Sequence, residues 1–269
     1  MTRPALRRFG QNFLVDRVVC ERIVAAVNCT EDDCVVEIGP GRGALTGALA
    51  SRSAAVSIVE VDRGLARDLR VRFRGRVQVI EGDVLDLELA NLRQSMDPTG
   101  KRRLVVVGNL PYNISKPIAM KLIVDRQHVD RAVLMFQREV ARRLTASPGG
   151  RNYGPLSVLA GEAFTIEALF DVPANAFRPR PAVVSTVTAW RPRPAENLPQ
   201  REEAALRDCL RVCFARRRQT LRNNLRAAMR SRSSVEALLE QAAIDGGTRA
   251  EDLTPAELRR LAGVMSAGP

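Results

Sequence analysis

The stretch LVVVGNLPY, residues 104–112, decides the fold of this chain. Four apolar residues, three of them β-branched, precede a glycine and an X-Pro pair, which predicts a buried strand that ends abruptly in a turn. Ligands of parallel α/β sheets bind at the carboxyl ends of the strands, so Asn109 to Tyr112 are expected to face a site. These residues offer an amide, a carbonyl held by Pro111 and an aromatic ring, which together suit the amine and the face of a flat base. Taken alone, they also fit an Asn-initiated turn with a packed tyrosine.

The composition favours a partner that carries negative charge. The chain has 269 residues, enough for one large domain or for one domain plus a small one. It carries 42 Lys+Arg against 30 Asp+Glu, a net charge of +12 and a pI near 10.7. Only three of the basic residues are lysines. A pI above 9 is typical of nucleic-acid binders, and guanidinium groups pair with phosphate in a bidentate way. A GC-rich genome or a merely basic protein remains the alternative.

The cysteines and the N-terminus predict a reduced, cytoplasmic protein. The five cysteines are odd in number and scattered, none forms a CxxC pair, and His128 is the only histidine, so no zinc constellation is expected. The basic N-terminus is not followed by a hydrophobic signal region, and no apolar run of 18 residues occurs. We therefore expect no metal, no secretion and no membrane segment.

Short apolar runs alternate with amphipathic stretches from Asp16 to about residue 190, which implies a doubly wound parallel sheet. The predicted strands are 35–38, 56–61, 77–80, 104–107 and 132–136. A first helix is expected after Asp16 as its cap, and the further helices are predicted at 43–52, 63–73, 115–126 and 138–146. The β-rich segments 163–172 and 182–190 are expected to close the sheet as a hairpin-like edge.

Three prolines within residues 191–199 predict a linker, and the sequence beyond it reads as helical. Thr254 before Pro255, with Glu257 three residues on, is typical of a capping box. The predicted helices are 200–214, 217–230, 233–243 and 254–265. We therefore predict an α/β domain at 1–190, a linker at 191–199 and a helical domain at 200–269.

Successive predicted strands end in residues that suit a nucleotide. The run EIGPGRGALT, residues 37–46, follows the first strand and opens a helix, with GxGxG spacing rather than the GxGxxG dinucleotide fingerprint. Glu60 ends the second strand, where a carboxylate can accept both hydroxyls of a ribose. Asp83 ends the third, where it can accept a hydrogen bond from an adenine amine, and Asn109 ends the fourth. Simpler interpretations are a helix cap for Asp83 and a solvated strand end for Glu60.

A dehydrogenase shares the first two of these features but needs neither an acid after the third strand nor Asn-Leu-Pro-Tyr after the fourth. The set instead resembles a methyltransferase that uses S-adenosylmethionine. The chain is similar over nearly its full length to the KsgA family of small-subunit ribosomal RNA adenine dimethyltransferases. Erm methyltransferases and mitochondrial transcription factor B proteins are relatives of that family. The motifs that carry the resemblance are residues 8–14, 37–46, Glu60, 82–83, 109–115, 177–183 and 214–225. Arg42 and Arg180 depart from the family pattern.

The resemblance implies a Rossmann-like, S-adenosylmethionine-dependent methyltransferase fold with a small all-helical C-terminal domain. It implies that the cofactor binds Asn12, Leu14, Gly39, Gly41, Glu60, Val61, Asp83, Val84 and Asn109. The implied catalytic residues are Asn109, Leu110, Pro111, Tyr112 and Phe177. Asn109 and the Leu110 carbonyl would hold the target amine, while Tyr112 and Phe177 would stack on the adenine. The segment around Asn12 is expected to cover the cofactor as a lid, to pack Phe9 and Phe13 into the core, or to do both.

Residues 211–232 hold eight arginines and no acid, which favours RNA over a solvated helix face. On one continuous helix, Arg218, Arg222 and Arg226 would form a phosphate-tracking stripe. The predicted RNA-binding residues are Arg216, Arg217, Arg218, Arg222 and Arg226.

The resemblance implies that a monomer dimethylates two adjacent adenines in the 3′-terminal hairpin loop of small-subunit ribosomal RNA, its partner being the small subunit or its precursor. One alternative is an Erm-type enzyme that acts on large-subunit RNA. Another is a ribosome-assembly or transcription factor without catalysis, which the intact Glu60, Asp83 and Asn109-Leu110-Pro111-Tyr112 disfavour.

Overall fold

Seven strands form one mixed sheet in the computed structural model, which describes residues 11–194, 200–229 and 232–267. Its strands are β2 (Asp33–Ile38), β3 (Ala55–Glu60), β4 (Gln78–Glu81), β5 (Arg103–Asn109), β6 (Arg131–Gln137), β7 (Phe164–Val172) and β9 (Ser185–Pro192). Their order across the sheet is β4-β3-β2-β5-β6-β9-β7, and the first five of these strands are parallel. This architecture agrees with the predicted α/β fold.

The two central strands are buried along most of their length. Every residue of β2 is buried, as are Leu104 to Gly108 of β5, because helices cover both faces of a parallel sheet. Ile38 pairs with Gly108 and Val59, so the carboxyl ends of β2, β3 and β5 lie side by side. The polar residues that follow these strands are therefore brought to one edge of the sheet.

Helices follow the strands of the first part of the chain, as the alternation predicts. The helices are α1 (Arg17–Val27), α2 (Thr46–Ala50), α3 (Arg63–Arg72), α4 (Leu89–Met96), α5 (Ser115–Val124), α6 (Arg138–Leu144) and α7 (Pro155–Ala163). Asp16 caps α1 by accepting the Val19 N–H at 3.2 Å. Helix α2 is shorter than predicted because the glycine loop occupies 39–45, and α4 and α7 were not predicted.

The predicted edge pair is present. β9 runs antiparallel to β6 and to β7, so it lies between them. Trp190 of β9 is fully buried, stacks on Phe136 and meets Phe164 edge-on. Burial of three aromatic side chains stabilises this edge by several kcal/mol.

A separate two-stranded sheet joins the two ends of the α/β part. β1 (Phe13–Leu14) pairs antiparallel with β8 (Phe177–Arg178), and Leu14 lies opposite Phe177. Phe13 and Leu14 are both buried, which confirms the arm prediction for Phe13. The predicted packing of Phe9 lies outside the described residues.

The C-terminal part is helical, as predicted. Its helices are α8 (Gln200–Cys213), α9 (Leu221–Ala228), α10 (Arg232–Gln241) and α11 (Pro255–Ala267). The capping box is confirmed: the Thr254 amide donates to Glu257 Oε2 at 2.8 Å, and the Glu257 amide donates to the Thr254 hydroxyl at 3.2 Å.

The prediction of one helix over 217–230 was wrong. Helix α9 begins only at Leu221, because the Thr220 side chain caps it by accepting the Asn223 N–H at 3.3 Å. Arg218 lies in the turn before this cap. Residues 195–199 of the predicted linker and Arg230 lie outside the described residues.

Two compact units divide the described residues. One comprises the described residues up to Ala141 together with Phe164–Pro192, and the other comprises Arg142–Ala163 and the described residues from Arg193 onward. Within the second unit, the Tyr153 hydroxyl donates to the Leu253 carbonyl at 3.0 Å, and the Glu162 carboxylate pairs with Arg259 at 3.2 Å. Residues 142–163, which the sequence places in the α/β domain, thus pack with the C-terminal helices. None of the helices within the described residues has the length and apolar character needed to cross a bilayer.

Candidate active site

The glycine loop after β2 has a backbone that only glycine adopts easily. Gly39 and Gly41 have φ values of +62° and +56°, in the left-handed region. A Cβ at Gly41 would also lie 2.9 Å from the Phe13 ring. The loop therefore brings bare backbone to the edge of the sheet where the polar strand ends meet.

Glu60 is held in place by this loop. It ends β3 with only 4% of its surface exposed, so the solvated interpretation is wrong. Its Oε2 accepts the Gly41 N–H at 3.1 Å, and its Oε1 accepts the Asp62 N–H at 2.9 Å. Burial raises the pKa of Glu60, and the hydrogen bonds from Asp62 and Gly41 partly oppose this shift. A carboxylate has about four acceptor sites, so both oxygens retain capacity for ligand hydroxyls.

Asp83 is both a helix cap and a pocket residue. Its Oδ1 accepts the Leu85 N–H at 2.9 Å and caps the short 3-10 helix Val84–Asp86. Asp83 is exposed and lines the same cavity as Glu60. The cap fixes one oxygen and leaves Oδ2 as an acceptor with no hydrogen bond among the described residues. The helix cap is therefore confirmed, and the hydrogen bond from an adenine amine to Asp83 stays a prediction.

The Asn109 amide is oriented by a hydrogen bond to the N-terminal segment. Asn109 is half-buried, and its Nδ2 donates to the Asn12 carbonyl at 3.2 Å. The side-chain oxygen of Asn109 is thereby left as the acceptor of the pair. Gly108 precedes it with no room for a side chain, since a Cβ there would lie 2.7 Å from Leu110 Cδ2. This glycine lets the buried Leu110 fold back against the strand it has just left.

Tyr112 is anchored at its hydroxyl. Its oxygen lies 2.9 Å from the hydroxyl of Ser185, a buried residue at the start of β9. Burial raises the pKa of Tyr112, and the Ser185 hydrogen bond partly lowers it. The phenol is therefore neutral at physiological pH, and the ring is tied at its far end.

Glu37 is a buried acid that the sequence analysis did not assign to the cofactor site. It is 2% exposed, lines the cavity, and its Oε2 accepts the Thr46 hydroxyl at 2.6 Å. The pKa of Glu37 is raised to about 7, mainly by burial; the hydrogen bond from Thr46 opposes this shift and the nearby Glu60 adds to it. The sequence signal that could have assigned Glu37 to this site is its position at the start of the motif EIGPG, directly before the glycine loop.

These residues line one cavity of about 250 Å³. All nine predicted cofactor residues lie in its wall, namely Asn12, Leu14, Gly39, Gly41, Glu60, Val61, Asp83, Val84 and Asn109. Leu110, Pro111 and Tyr112 of the predicted catalytic set also line it. Other lining residues were not in the predicted set, among them Glu37, Arg42, Asn113 and Ile114. The structure thus brings together twelve residues from four strand ends and the N-terminal segment.

Phe177 is the exception among the predicted catalytic residues. It is fully buried, belongs to the hydrophobic core cluster and does not line the cavity. The structure therefore places Phe177 behind the wall, where it pairs with Leu14, rather than beside Tyr112.

The cavity suits a cationic nucleoside. Glu37, Glu60 and Asp83 line it against a single arginine, Arg42, whose guanidinium carbon lies 4.4 Å from the centre of the Phe13 ring. Val61 and Val84 add apolar surface for a base. Acceptors for ribose hydroxyls and an excess of negative charge fit S-adenosylmethionine, which carries a sulfonium and an ammonium group.

The predicted RNA-binding arginines are arranged differently from expectation. Arg216, Arg217 and Arg218 lie in the exposed turn after α8, and Arg222 and Arg226 lie on α9. The prediction of a continuous stripe of Arg218, Arg222 and Arg226 is therefore wrong, because Arg218 does not lie on the helix that carries the other two.

Carboxylates of the same unit pair with several of these arginines. Arg222 and Arg226 both pair with Glu236, at 3.1 and 2.7 Å, and Arg217 pairs with Glu251 at 2.6 Å. Within the described residues, no cluster of three or more His, Cys, Asp or Glu side chains has the geometry of a metal site.

Comparison with known proteins gives consistent matches along the chain. The family model described as ribosomal RNA adenine dimethylase matches residues 4–266. A protein of Acidobacterium capsulatum named ribosomal RNA small subunit methyltransferase A is 42% identical, with 94% of this chain and 89% of the relative covered. A protein of the same name from Syntrophotalea carbinolica is 41% identical, with 97% of both chains covered.

Two solved structures are similar across both units. The crystal structure of a dimethyladenosine transferase from Plasmodium falciparum has a TM-score of 0.77 and 25% identity, covering 93% of this chain and 95% of the other. The 23S rRNA methyltransferase ErmE has a TM-score of 0.69 and 27% identity, covering 95% of this chain and all of the other.

Proposed function

Because the chain belongs to the ribosomal RNA adenine dimethylase family, we propose that it dimethylates N6 of two adjacent adenines in the 3′-terminal hairpin loop of small-subunit ribosomal RNA. The protein is a Rossmann-like ribosomal RNA adenine dimethyltransferase that uses S-adenosylmethionine. The observation that supports this cavity as the site of methyl transfer is the convergence of Gly39, Glu60, Asp83 and Asn109 on it.

The choice of the small subunit rests on the sequence relatives. Proteins named small subunit methyltransferase A are 41–42% identical over nearly the whole chain, whereas ErmE, named as a 23S enzyme, is 27% identical. The fold alone does not select the RNA, because ErmE, named as a 23S enzyme, resembles 95% of this chain.

We propose that Glu60 accepts the ribose hydroxyls of the cofactor and that Asp83 accepts its adenine amine through Oδ2. The Gly39–Gly41 backbone and the segment of Asn12 and Leu14 would flank the methionine portion, and Val61 and Val84 the base. When bound, S-adenosylmethionine supplies an electrophilic methyl group.

The proposed task of the Asn109 loop is to prepare the target amine. The N6 lone pair of adenine is delocalised into the ring and is a poor nucleophile. Hydrogen bonds from the amine to the Asn109 side-chain oxygen and to the Leu110 carbonyl would favour a tetrahedral nitrogen whose lone pair points outward. Asn109 is suited to this because its Nδ2 is already engaged by Asn12, which fixes the acceptor. This is catalysis by positioning and electrostatics, and it needs no histidine base.

Tyr112 would stack on the extruded adenine, a contact worth roughly 1–3 kcal/mol per base. Its hydroxyl is tied to Ser185, so the ring loses little freedom when the base arrives. Stacking by Phe177 would require that side chain to leave its buried position, and we therefore assign the stacking contact to Tyr112.

The proposed partner is ribosomal RNA within the small subunit or its precursor. We further propose that the protein acts as a monomer in the cytoplasm, where bacterial subunits are assembled. Light scattering after size exclusion should give the mass of one chain, 29.6 kDa.

The proposal is tested by incubating the protein with labelled S-adenosylmethionine and under-methylated small subunits, with large subunits as the parallel substrate. Mapping of the label to two adjacent adenines near the small-subunit 3′ end is expected. Label only in large-subunit RNA would replace the proposal with the Erm-type alternative. RNA binding with no methyl transfer to either subunit would favour the non-enzymatic alternative.

A further inference from the structure

A second cavity, of about 450 Å³, lies beside the cofactor cavity in the α/β unit. We call it the basic groove and define it by Arg17, Arg42, Arg52 and Arg72, which line it together with Glu21. Arg17 and Glu21 belong to α1, Arg42 to the glycine loop and Arg72 to the end of α3, while Arg52 follows α2. None of the motifs discussed above accounts for this collection.

The charge of the basic groove is opposite to that of the cofactor cavity. The basic groove is lined by four arginines and one glutamate, whereas the cofactor cavity is lined by three acidic residues and one arginine. Arg17 and Arg52 are exposed and form no ion pair among the described residues. Clustered like charges repel one another unless an anion joins them, so this arrangement favours a polyanionic ligand.

Two of the arginines are held by the protein itself. Arg72 Nη1 donates to the Arg42 carbonyl at 2.8 Å, and the Arg42 guanidinium lies over the Phe13 ring. The hydrogen bond uses one donor of Arg72. Since a guanidinium has five N–H donors, Arg72 retains donors for a phosphate.

The floor of the groove is apolar. Leu14 and Val24 are buried, Cys20 is half-buried, and Val15 is 46% exposed. An apolar floor with a rim of guanidinium groups fits a single-stranded nucleotide, whose sugar and base lie on the floor while its phosphates meet the rim.

The location ties the groove to the reaction. Leu14, Arg42 and Ala44 line both cavities, so the two share a wall. We infer that the basic groove binds phosphate groups of the ribosomal RNA strand that flanks the target adenines, and so helps to present those adenines beside the cofactor. This inference rests on the proposed function and adds a subsite to it.

The test compares two double variants with the same change in charge. Arg17→Gln/Arg52→Gln removes two rim arginines. Arg67→Gln/Arg74→Gln removes two exposed arginines of the same unit that do not line the groove and form no ion pair among the described residues. All four side chains are exposed, so both proteins should fold, and thermal unfolding checks this.

The affinity of each variant for the substrate RNA is measured as a function of salt concentration. Removal of two phosphate contacts should lower the slope of log affinity against log salt by about 1.4 to 2 in the rim variant. The control variant should keep nearly the wild-type slope. Calorimetry with S-adenosylmethionine should give unchanged affinity in both variants, since neither Arg17 nor Arg52 lines the cofactor cavity.

Equal slopes for the two variants would overturn the inference. Inorganic phosphate provides the second arm: tight binding of phosphate to the wild type, lost in the rim variant without any change in RNA affinity, would assign the groove to a free anion instead. The outcomes are separable from the proposed function. If the wild type methylates its RNA and the variants bind it alike, only the groove fails. If the wild type binds RNA through the groove but transfers no methyl group, only the proposed function fails.

Discussion

Glu37 and Glu60 of the cofactor cavity have electrostatic surroundings opposite to those of Glu236 in the helical unit. In the α/β unit, burial raises the pKa of Glu37 to about 7 and also raises that of Glu60, and neither pairs with an arginine among the described residues. In the helical unit, burial pushes the pKa of Glu236 upward, but hydrogen bonds from Arg222 and Arg226 outweigh it and lower the pKa. Backbone N–H and hydroxyl groups hold Glu37 and Glu60, whereas two arginines hold Glu236.

This difference indicates two modes of recognition. The cofactor cavity is prearranged, because its acceptors are already oriented by Gly41, Asp62 and Thr46. Arg222 and Arg226 of α9, which are predicted to bind RNA, already pair with Glu236, so this carboxylate competes with a phosphate for them. Methyl transfer and RNA affinity should therefore be separable by mutation.

The substitution Asn109→Ala should separate methyl transfer from RNA affinity most strongly. We expect methyl transfer to fall on the order of a thousandfold, because the amine loses its oriented acceptor. Ribosomal RNA affinity should change less than twofold, since the arginines are untouched. Transfer of labelled methyl groups and filter binding on the same preparation measure both quantities. Transfer at the wild-type rate would contradict the catalytic assignment, and a parallel loss of RNA binding would contradict the separation.

The substitution Glu37→Gln tests how much the buried carboxyl of Glu37 destabilises the fold as pH rises. Below its ordinary pKa of 4.5 the carboxyl is protonated in both states, while between 4.5 and about 7 only the unfolded chain loses the proton. Stability of the wild type should therefore fall as pH rises through this window, by about 3 kcal/mol. The variant keeps an acceptor for the Thr46 hydroxyl and lacks this titration.

Denaturant unfolding of both proteins at pH 4.5, 6 and 8 measures the difference. The free energy of unfolding of the wild type, relative to the variant, should decline with pH. A difference that is constant with pH would show that Glu37 ionises alike in the folded and unfolded states.

Glu60→Ala addresses the cofactor directly. Loss of a charged acceptor for two hydroxyls should weaken S-adenosylmethionine binding by about thirtyfold. Glu81→Ala is the matched control, because Glu81 ends the neighbouring strand β4 but pairs with Arg63 and Arg70 outside the cavity. Calorimetry that finds equal affinities for the two variants would refute the ribose role.

Glu236→Gln gives the smallest effect. Release of Arg222 and Arg226 should strengthen RNA binding a few-fold at low salt, since exposed ion pairs are worth less than about 1 kcal/mol. Arg222→Gln should weaken binding by a comparable factor. Fluorescence anisotropy with labelled RNA measures both. If Glu236→Gln binds RNA more weakly than the wild type, the ion pairs serve to support α9 and not to hold its arginines in reserve.

The sequence predicts best what depends on chain topology. Glu60, Asp83 and Asn109 follow strands whose parallel order brings their ends together, so their convergence needs no knowledge of side-chain packing. Glu37 pairs with Thr46 through a helix start whose exact position the sequence did not reveal. The Glu37 contact was therefore missed, although the residue was quoted in the motif.

Three expectations from the sequence differ from the structure, one because a helix cap interrupts the pattern and two because tertiary contacts place the residues elsewhere. The periodicity of arginines continues through Arg216-Arg217-Arg218, but the Thr220 cap interrupts the helix and takes Arg218 off the face of Arg222. Phe177 belongs to one of the motifs that carry the family resemblance, yet burial in the core determines where its ring lies. Residues 142–163 likewise join the helical unit through contacts such as Tyr153 with Leu253, which no local pattern reveals.

The pairing of β1 with β8 has a consequence for how the protein is made. Leu14 reaches its place in the cofactor wall opposite Phe177, so the earliest-synthesised wall of the pocket depends on a segment made much later. A nascent chain that has not yet exposed residues 177–178 outside the ribosomal tunnel lacks the partner of its own N-terminal segment. Competence to hold the cofactor is therefore reached late in translation, after the parallel sheet has had time to form.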